Sequence, residues 1–393
     1  MPPKHAKPVG AFADLPDRGI KMYYETSGPN TNKAEFQGEN ERLLFMILGS
    51  AADLRKTADQ QYINQSVSMF KILTYDHRNT GQTTIKDEPC TMEDYADDAA
   101  ALLQAVVPEK LPVFVIGISF GGMVAQHLAI RHPHLISKLV LCCCPTGGEG
   151  GMAFPIHEWY APGHAMEDRV VKKIFQANTD RNEEWKEKSP TEWQMTVAVL
   201  SRDEKVGVND PLRMEGTMRQ LEARKEHNTW DKIGQLRDMD VLVCGSDRDN
   251  ITPVALMRKM VDRIGGKVES KLDFGWGHSF IAADTAAMPY VNEWLRRDSG
   301  SARSGAAAAA DGAQIWKVVG GADKGGILVR AGEELSSAQL ADRLGTDSLV
   351  EQVVVKGDRM HYRLRKGSGP NEGWVAIKLK DGKELVVKTD EKP

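Results

Sequence analysis

Residues 112–130 constrain the fold of this chain more than any other segment of its 393 residues. The segment opens with a short apolar run rich in β-branched residues, which is typical of a fully buried strand. The pentapeptide Gly117-Ile-Ser-Phe-Gly121 follows, and an apolar segment with helical periodicity comes directly after it. A Gly-x-Ser-x-Gly turn between a strand and a helix predicts a nucleophile elbow, in which a strained turn lifts the hydroxyl of Ser119 above the sheet.

The residues around Ser119 suit such a turn. A Cβ at Gly117 or Gly121 would collide with the tight turn or with the adjacent strand. In this geometry the amide of Phe120 points at the space beside the serine hydroxyl, so we predict that it forms one half of an oxyanion hole. The pentapeptide by itself is also compatible with a tight strand–helix turn in which the serine is incidental. The flanking strand and helix favour the elbow.

Strands and helices alternate along most of the first 300 residues. Apolar runs predict further strands at residues 20–26, 43–48, 69–75, 138–144, 240–245 and 267–272, and helices at 92–107, 254–264 and 285–297. This alternation predicts a doubly wound, mostly parallel α/β sheet. Ligand sites in such sheets lie outside the carboxyl ends of the strands, where Gly49, Asp76, Ser119 and Pro145 fall. Residues 1–18 are predicted to be a loose arm.

Breaks in this alternation predict the domain organisation. Between about residues 146 and 238 the strand signals give way to amphipathic helical segments, which predicts a helical cap inserted over the sheet. A separate helical bundle is the alternative, and the return of strands afterwards argues against it. Residues 299–313 are small and alanine-rich, so we predict a flexible linker between a first domain, 1–298, and the rest. Residues 314–393 contain short β-branched runs between turn residues, including a predicted strand at 326–330, which indicates a small all-β domain.

A serine at an elbow needs a base to take its proton, and the base needs a carboxylate to orient it. With a nucleophile elbow these groups follow in the chain order serine, acid, histidine. His278 lies in a glycine-flanked loop after a late strand, which suits the base, although a surface loop histidine is the alternative. Asp247 and Asp249 share one polar turn, and we favour Asp249 because it lies deeper in that turn. The other aspartate is predicted to bond the turn or to pair with Arg248.

The loops after two other strands supply supporting groups. The second oxyanion donor is predicted to be the backbone amide of Ser50, in the loop after the strand at 43–48. Asp76 and Arg78 follow the next strand along the chain. We predict a structural role for this pair, as a brace for the elbow, in preference to a catalytic one.

Five motifs together resemble the α/β-hydrolase superfamily. They are Gly49-Ser-Ala-Ala-Asp-Leu-Arg, Tyr75-Asp-His-Arg-Asn-Thr-Gly81, Gly117-Ile-Ser-Phe-Gly-Gly122, Gly245-Ser-Asp-Arg-Asp-Asn-Ile-Thr-Pro253 and Gly277-His278. The second motif is most similar to the branch of esterases and proline-iminopeptidase-like enzymes, such as aclacinomycin methylesterase-type proteins. The resemblance spans roughly residues 15–297 and implies that residues 1–298 form an α/β-hydrolase catalytic domain.

The sequence departs from that family before the oxyanion loop. Many members have a histidine there, and this chain has Leu48, which removes a side-chain hydrogen bond and leaves the amide donor of the loop in place. In the C-terminal domain, Gly373-Trp-Val gives a distant resemblance to SH3-like modules.

Composition narrows the partners. The net charge of −4 does not favour binding to nucleic acid or to an anionic membrane. The chain lacks the apolar run of a signal peptide and any stretch of 18 apolar residues. Of five cysteines, three are consecutive at 142–144, which predicts buried reduced thiols and a cytoplasmic location. No phosphate-binding glycine loop and no metal-ligand spacing occurs, so we expect neither a cofactor nor a metal.

These patterns predict a serine hydrolase that cleaves a small or medium carboxylic ester through an acyl-enzyme. An enol-lactone hydrolase, a carbon–carbon hydrolase or an aminopeptidase would use the same three residues, so these alternatives stay open. A hydrolase-fold receptor that binds a small molecule with little turnover is an alternative from another class. The all-β domain is predicted to bind another protein or to pack on the catalytic domain.

Overall fold

The computed structural model describes residues 8–28, 43–64, 70–160, 165–297, 314–330, 337, 339–340, 342–370, 372–379, 382–389 and 391. By their internal contacts the residues separate into two compact units, Met1–Arg296 and Arg297–Pro393. The predicted linker at 299–313 lies outside the described residues. Among those residues, no helix is both long enough and apolar enough to cross a membrane.

One sheet organises the described part of the first unit. In chain order its strands are β1 (Val9–Leu15), β2 (Ile20–Ser27), β3 (Leu43–Ile47), β4 (Lys71–Tyr75), β5 (Val113–Ile118), β6 (Ile136–Cys142), β7 (Val241–Ser246) and β8 (Glu269–Phe274). Their order across the sheet is β1-β2-β4-β3-β5-β6-β7-β8. The pairs β1–β2 and β2–β4 are antiparallel, and all the others are parallel. The predicted mostly parallel α/β sheet is therefore confirmed.

The described part of the first unit has helices on both faces of this sheet and four more in a segment inserted between β6 and β7. They are α1 (Thr57–Asn64), α2 (Met92–Val106), α3 (Phe120–Arg131), α4 (Met166–Ala177), α5 (Glu183–Lys188), α6 (Pro190–Glu204), α7 (Arg213–Lys225), α8 (Val254–Ile264), α9 (Phe280–Ala283) and α10 (Ala287–Arg296). Along β3, Phe45 and Ile47 belong to the core on one face, and Leu44 and Met46 belong to the core on the other. Burial on both faces explains why the parallel strands are continuous apolar runs and do not alternate with polar residues.

The prediction of a loose arm at residues 1–18 is wrong for residues 9–15, and residues 1–7 lie outside the described residues. Val9–Leu15 forms the edge strand β1, whose residues pair in register with Ile20–Thr26 of β2. The strand buries Leu15 but otherwise offers the core only small residues such as Ala13. Glycine and alanine have low strand propensity, so the segment carries almost no signal until the neighbouring strand provides its hydrogen-bond partners.

Helices α4–α7 form the inserted cap between β6 and β7. The chain leaves the sheet and returns to it side by side, because Gly147 and Asn228 form an antiparallel bridge. Next to the bridge, the amide of Thr229 donates to the carbonyl of Thr146 at 2.8 Å. The cap is thus joined to the sheet through two neighbouring backbone segments that pair with each other beyond the carboxyl end of β6.

A buried pair of histidines supports this base of the cap. His227 Nε2 donates to the carbonyl of Pro145 at 3.1 Å, so its Nδ1 accepts from His127 Nε2 at 3.2 Å. The other ring nitrogen of His127 lies 3.4 Å from a carboxylate oxygen of Glu93. Burial lowers the pKa of His227 from its ordinary 6.5 to about 3. The imidazole of His227 is therefore neutral in the folded protein near pH 7.

Acid should weaken the folded state through His227. In the unfolded chain the imidazole takes up a proton as the pH falls through about 6.5, but in the folded protein it does so only near pH 3. The stabilisation is thus complete above pH 6.5 and is lost as the pH falls below it, by about 2 kcal/mol between pH 8 and pH 5. In urea unfolding, we expect His227→Gln to reduce the difference in stability between pH 8 and pH 5 by about that amount.

A control separates this effect from general destabilisation. Leu139→Ala removes buried apolar volume and no titratable group, so it should lower the free energy of unfolding equally at both pH values. An unchanged pH dependence in His227→Gln would show that His227 is not the group responsible.

The second unit contains a separate antiparallel sheet. Its described strands are β9 (Ile315–Val318), β10 (Leu349–Lys356), β11 (Arg359–Lys366), β12 (Glu372–Ala376) and β13 (Val386–Thr389), in the order β12-β11-β10-β9-β13. The predicted strand at 326–330 is absent, and its residues make only isolated bridges. The all-β character is confirmed, and the SH3-like resemblance stays a prediction.

Candidate active site

Ser119 lies in a strained turn between β5 and α3. Its backbone has φ 56° and ψ −117°, a conformation that non-glycine residues rarely adopt. A Cβ built on Gly117 would lie 2.4 Å from the carbonyl oxygen of Gly121, and one built on Gly121 would lie 2.0 Å from the carbonyl oxygen of Ile47. The two glycines let the helix start directly above the strand. Ser119 is half-buried, although both of its neighbours in the chain are buried.

Three of the residues singled out from the sequence form one hydrogen-bonded row. His278 Nδ1 lies 2.8 Å from Asp249 Oδ2, and His278 Nε2 lies 2.9 Å from Ser119 Oγ. An ionised carboxylate only accepts, so Nδ1 carries the proton and Nε2 accepts from the serine hydroxyl. The sequence separations of 159 and 29 residues are bridged because β5, β7 and β8 all end at the same edge of the sheet.

The structure distinguishes the two aspartates of the acid turn. Asp249 is 3% exposed, and its Oδ1 accepts from the amides of Ile251 and Thr252 at 2.8 and 2.9 Å. Asp247 is exposed. Of the two partnerships expected for Asp247, the ion pair with Arg248 is not found among the described residues, and Arg248 pairs with Asp180 of the cap at 2.7 Å. Only Asp249 is therefore held in place to face the histidine.

Cys143, directly after β6, is a neighbour of this row that the sequence did not single out. Its Sγ donates to the carbonyl of His278 at 3.5 Å, and its ligand atom lies within 4.8 Å of those of Asp249 and His278. Such a triangle could in principle hold a metal ion. However, both ring nitrogens of His278 already have partners, and burial raises the pKa of the Cys143 thiol well above its usual range. We assign the three groups to the hydrogen-bonded row.

The loop after β3 lies against the serine, as expected. A Cβ built on Gly49 would be 3.7 Å from the Cβ of Ser119, so the residue that precedes Ser50 lies against the serine. Phe120 is the first residue of α3, so its amide has no partner within the helix. Of the two residues predicted to supply oxyanion donors, Phe120 thus follows Ser119 directly and Ser50 follows the glycine that lies against it.

The residues after β4 brace this loop. The two carboxylate oxygens of Asp76 accept from the amides of Leu54 and Gln82, both at 2.8 Å, and burial raises the pKa of this carboxyl to about 7. Arg78 forms an ion pair with Asp98 of α2. These contacts favour the predicted structural role of Asp76 and Arg78.

The sequence analysis missed two further residues that hold the loop. His77 Nε2 lies 3.0 Å from the carbonyl oxygen of Leu48, and Gln220 Oε1 of the cap accepts from the amide of Ala51 at 2.6 Å. His77 lies between Asp76 and Arg78, in a motif that served only to infer the family. Its position in that motif was the signal that could have identified it. Nothing in the sequence near Gln220 marks it, because a single polar residue on an amphipathic helix is common.

The cap reaches the loops around the row at several points. Besides Gln220 of α7, the end of α4 contacts the acid turn: Gln176 Nε2 donates to the carbonyl of Asn250 at 3.0 Å, and the amide of Thr179 donates to the carbonyl of Arg248 at 2.9 Å. Movement of the cap would therefore alter both the oxyanion loop and the acid turn.

Comparison with known protein families shows which family the chain belongs to. A family model described as alpha/beta hydrolase fold matches residues 57–283, which are more than half of the 393 residues. The chain belongs to the alpha/beta hydrolase fold family. The match includes Ser119, Asp249 and His278.

Curated relatives of this family member carry different activities in their names. Proline iminopeptidase PfmaB of Pestalotiopsis fici is 26% identical over 158 residues, which are 40% of this chain and 47% of that protein. The putative carbamate hydrolase RutD of Rhizobium rhizogenes is 24% identical over 212 residues, 52% of this chain and 75% of that protein. For PfmaB and for the RutD protein of Serratia proteamaculans, the chain spans less than half of the relative's length.

Solved structures resemble this chain in fold. The enol-lactonase from Burkholderia xenovorans LB400 aligns with a TM-score of 0.57 and 18% identity, covering 73% of this chain and 100% of that one. At this identity the likeness extends to the fold alone.

Proposed function

We propose that this α/β hydrolase is a serine hydrolase that cleaves a small or medium carboxylic ester, with Ser119 as nucleophile, His278 as general base and acid, and Asp249 as orienting acid. One observation carries the proposal: the hydroxyl, the imidazole and the carboxylate stand in one row with separations of 2.9 and 2.8 Å. A nucleophile and a base in hydrogen-bond reach, with the base oriented by a third group, is the arrangement that nucleophilic catalysis requires.

The first half of the reaction forms an acyl-enzyme. As Ser119 Oγ attacks the ester carbonyl carbon, its proton passes to His278 Nε2, and the resulting imidazolium is stabilised by the ionised Asp249. The carbonyl oxygen becomes an oxyanion, which the amides of Ser50 and Phe120 would bind. His278 then gives the proton to the leaving alcohol oxygen, the carbon–oxygen bond of the ester breaks, and the acyl group stays on Ser119.

The second half releases the acid. His278 Nε2 takes a proton from a water molecule, whose oxygen attacks the acyl carbon and forms a second oxyanion at the same two amides. The bond to Ser119 Oγ then breaks, and the proton returns from His278 to the serine oxygen. Each step uses groups of this chain and water, so the proposed reaction needs no cofactor and no metal.

Other acyl substrates compete with esters for the same residues. The relatives are named as a proline iminopeptidase and putative carbamate hydrolases, and a solved neighbour in fold as an enol-lactonase. Attack by Ser119 on an amide, a carbamate or a lactone would follow the same steps, with a different leaving group. The cap contacts around the acid turn and the oxyanion loop, such as Gln220 with Ala51, would decide which of them fits.

A substrate panel tests the proposal. We expect a fluorophosphonate probe to label Ser119, and we expect turnover of 4-nitrophenyl acetate, butyrate and octanoate with a decline at the longer chains. Proline 4-nitroanilide and a six-membered enol lactone serve as amide and lactone competitors. A kcat/KM for either competitor above that for every ester would replace the ester assignment. Labelling without turnover of any substrate would favour a receptor with the same fold.

We also propose a cytoplasmic location. All five cysteines are free, and four of them are buried, which suits a reducing compartment. Recovery of the protein in a secreted or periplasmic fraction of its source cells would contradict this location. A protein partner of the second unit stays a proposal without a specific surface to support it.

A further inference from the structure

His77 is a fully buried histidine that the proposed reaction does not use. Its Nε2 lies 3.0 Å from the carbonyl oxygen of Leu48. A carbonyl oxygen can only accept, so Nε2 carries the hydrogen of the imidazole. Burial lowers the pKa of His77 to about 4, so the ring is neutral near pH 7 and donates this single hydrogen bond.

The bond of His77 ends at the start of the oxyanion loop. The carbonyl of Leu48 belongs to the peptide that joins Leu48 to Gly49, and the next peptide carries the amide of Ser50. A peptide unit is planar, so fixing the direction of its carbonyl limits the orientation of the backbone that follows. This chain lacks the histidine that often precedes such a loop, and His77 supports the loop from the neighbouring strand end.

The imidazole of His77 also contacts the side chain of Phe120, the residue whose amide is the other predicted oxyanion donor. The centroids of His77 and Phe120 are 5.3 Å apart with an interplanar angle of 85°, an edge-to-face contact. Tyr75 and Tyr95 contact the ring in the same manner, at 4.9 and 5.8 Å. Three aromatic side chains therefore pack around the imidazole of His77, between the loop after β3 and the first residue of α3.

The second ring nitrogen of His77, Nδ1, lowers the stability of the folded protein. Nδ1 is buried and, among the described residues, has no hydrogen-bond partner. A buried acceptor without a donor destabilises a protein, whereas an apolar side chain of similar size would not. Packing alone would thus be better served by leucine, and the bond to Leu48 is what the histidine adds.

We propose that His77 is a positioning residue for the oxyanion hole, which holds the amides of Ser50 and Phe120 at the distance that the transition state needs. The proposal rests on the proposed acyl-transfer function of Ser119. His77 touches neither the substrate nor the reacting atoms and acts through Leu48 and Phe120. Its loss should therefore weaken stabilisation of the oxyanion and leave ground-state binding of the ester almost unchanged.

Two substitutions separate positioning from packing. His77→Leu keeps an apolar volume and removes the donor, while His77→Gln places an amide nitrogen about as far along the side chain as Nε2. We expect His77→Leu to lower kcat by about tenfold to a hundredfold with KM within about twofold, because small displacements of transition-state donors have effects of this size. We expect His77→Gln to recover most of that loss, and His77→Leu to stay folded but to unfold at a lower temperature than wild type, because the buried carbonyl of Leu48 loses its donor.

A matched control tests whether any buried histidine bonded to a carbonyl behaves in this way. His227 is buried and donates to the carbonyl of Pro145 at 3.1 Å, away from the oxyanion loop in the chain. His227 acts on the site only through the base of the cap, so we expect His227→Leu to lower kcat by a smaller factor than His77→Leu. An equal loss of kcat in His77→Leu and His227→Leu, or a kcat of His77→Leu within twofold of wild type, would overturn the proposal.

Labelling rates keep the test independent of the ester assignment. The phosphoryl oxygen of a fluorophosphonate occupies the oxyanion hole during attack by Ser119, so the labelling rate should fall in His77→Leu by the same factor as kcat. If no ester is turned over but Ser119 is labelled, the ester proposal fails and the ratio of labelling rates decides on His77. Equal labelling rates in wild type and His77→Leu would overturn the positioning role, and a complete lack of labelling would overturn both proposals.

Discussion

Ser119→Ala is expected to lower kcat for ester hydrolysis by about 10⁶-fold, the size of loss seen when a serine protease loses its nucleophile. The hydroxyl oxygen is the atom that attacks the carbonyl, and no other side chain in the row can replace it. Without it, His278 has no proton to accept, and only the oxyanion amides and substrate binding remain. The measurement is kcat on 4-nitrophenyl acetate together with loss of fluorophosphonate labelling.

The same position offers a test of backbone strain. Ser119 has φ 56°, which costs any residue with a Cβ on the order of 1–3 kcal/mol. Alanine keeps this strain, so Ser119→Ala should unfold like wild type, whereas Ser119→Gly should be more stable by about that amount. If Ser119→Gly is inactive and more stable than wild type, the strained backbone at residue 119 serves the reaction and lowers the stability of the fold.

A serine elsewhere in the sheet serves as the control for Ser119. Ser270 is exposed on β8, and Ser270→Ala should keep full activity and labelling. Activity of Ser119→Ala above one hundredth of wild type would remove Ser119 from the role of nucleophile.

Asp249→Asn is expected to lower kcat by about 10⁴-fold, as the equivalent change does in serine proteases. The hydrogen bonds of Asp249 explain why the substitution acts through the imidazole. Oδ1 accepts from the amides of Ile251 and Thr252, so the oxygen of an asparagine must stay on that side. The amide nitrogen then faces His278 Nδ1 and donates a hydrogen bond to it, so the ring proton moves to Nε2. A protonated Nε2 can no longer accept the proton of Ser119.

Asp247→Asn is the matched control, because it makes the same chemical change two residues away on the same turn. Asp247 is exposed and Asp249 is buried, so we expect Asp247→Asn to keep kcat within about threefold. Both variants should unfold at similar temperatures, since the two amide bonds to Oδ1 remain in Asp249→Asn. A larger loss of kcat in Asp247→Asn would transfer the orienting role to that residue.

The regular part of the fold was predictable from local pattern. Parallel strands buried on both faces, such as β3 and β5, are continuous apolar runs, and amphipathic helices such as α8 repeat every three to four residues. The edge strand β1 was not predictable, because its residues are small and its stability derives from pairing with β2. Residues 326–330 gave the opposite error: a β-branched run that the second unit holds only by isolated bridges.

By itself the sequence determined the elbow, the histidine loop and the order in which they occur, because a tight turn and a glycine-flanked loop depend on neighbouring residues alone. It reduced the acid to two aspartates of one turn. Only the tertiary structure decided which of them is buried and faces His278, since that depends on the amides of the turn and on a loop residue 29 positions away. It also decided that His77 and Gln220 hold the loop at Gly49, because contacts between separate strand ends and a cap helix have no local signature.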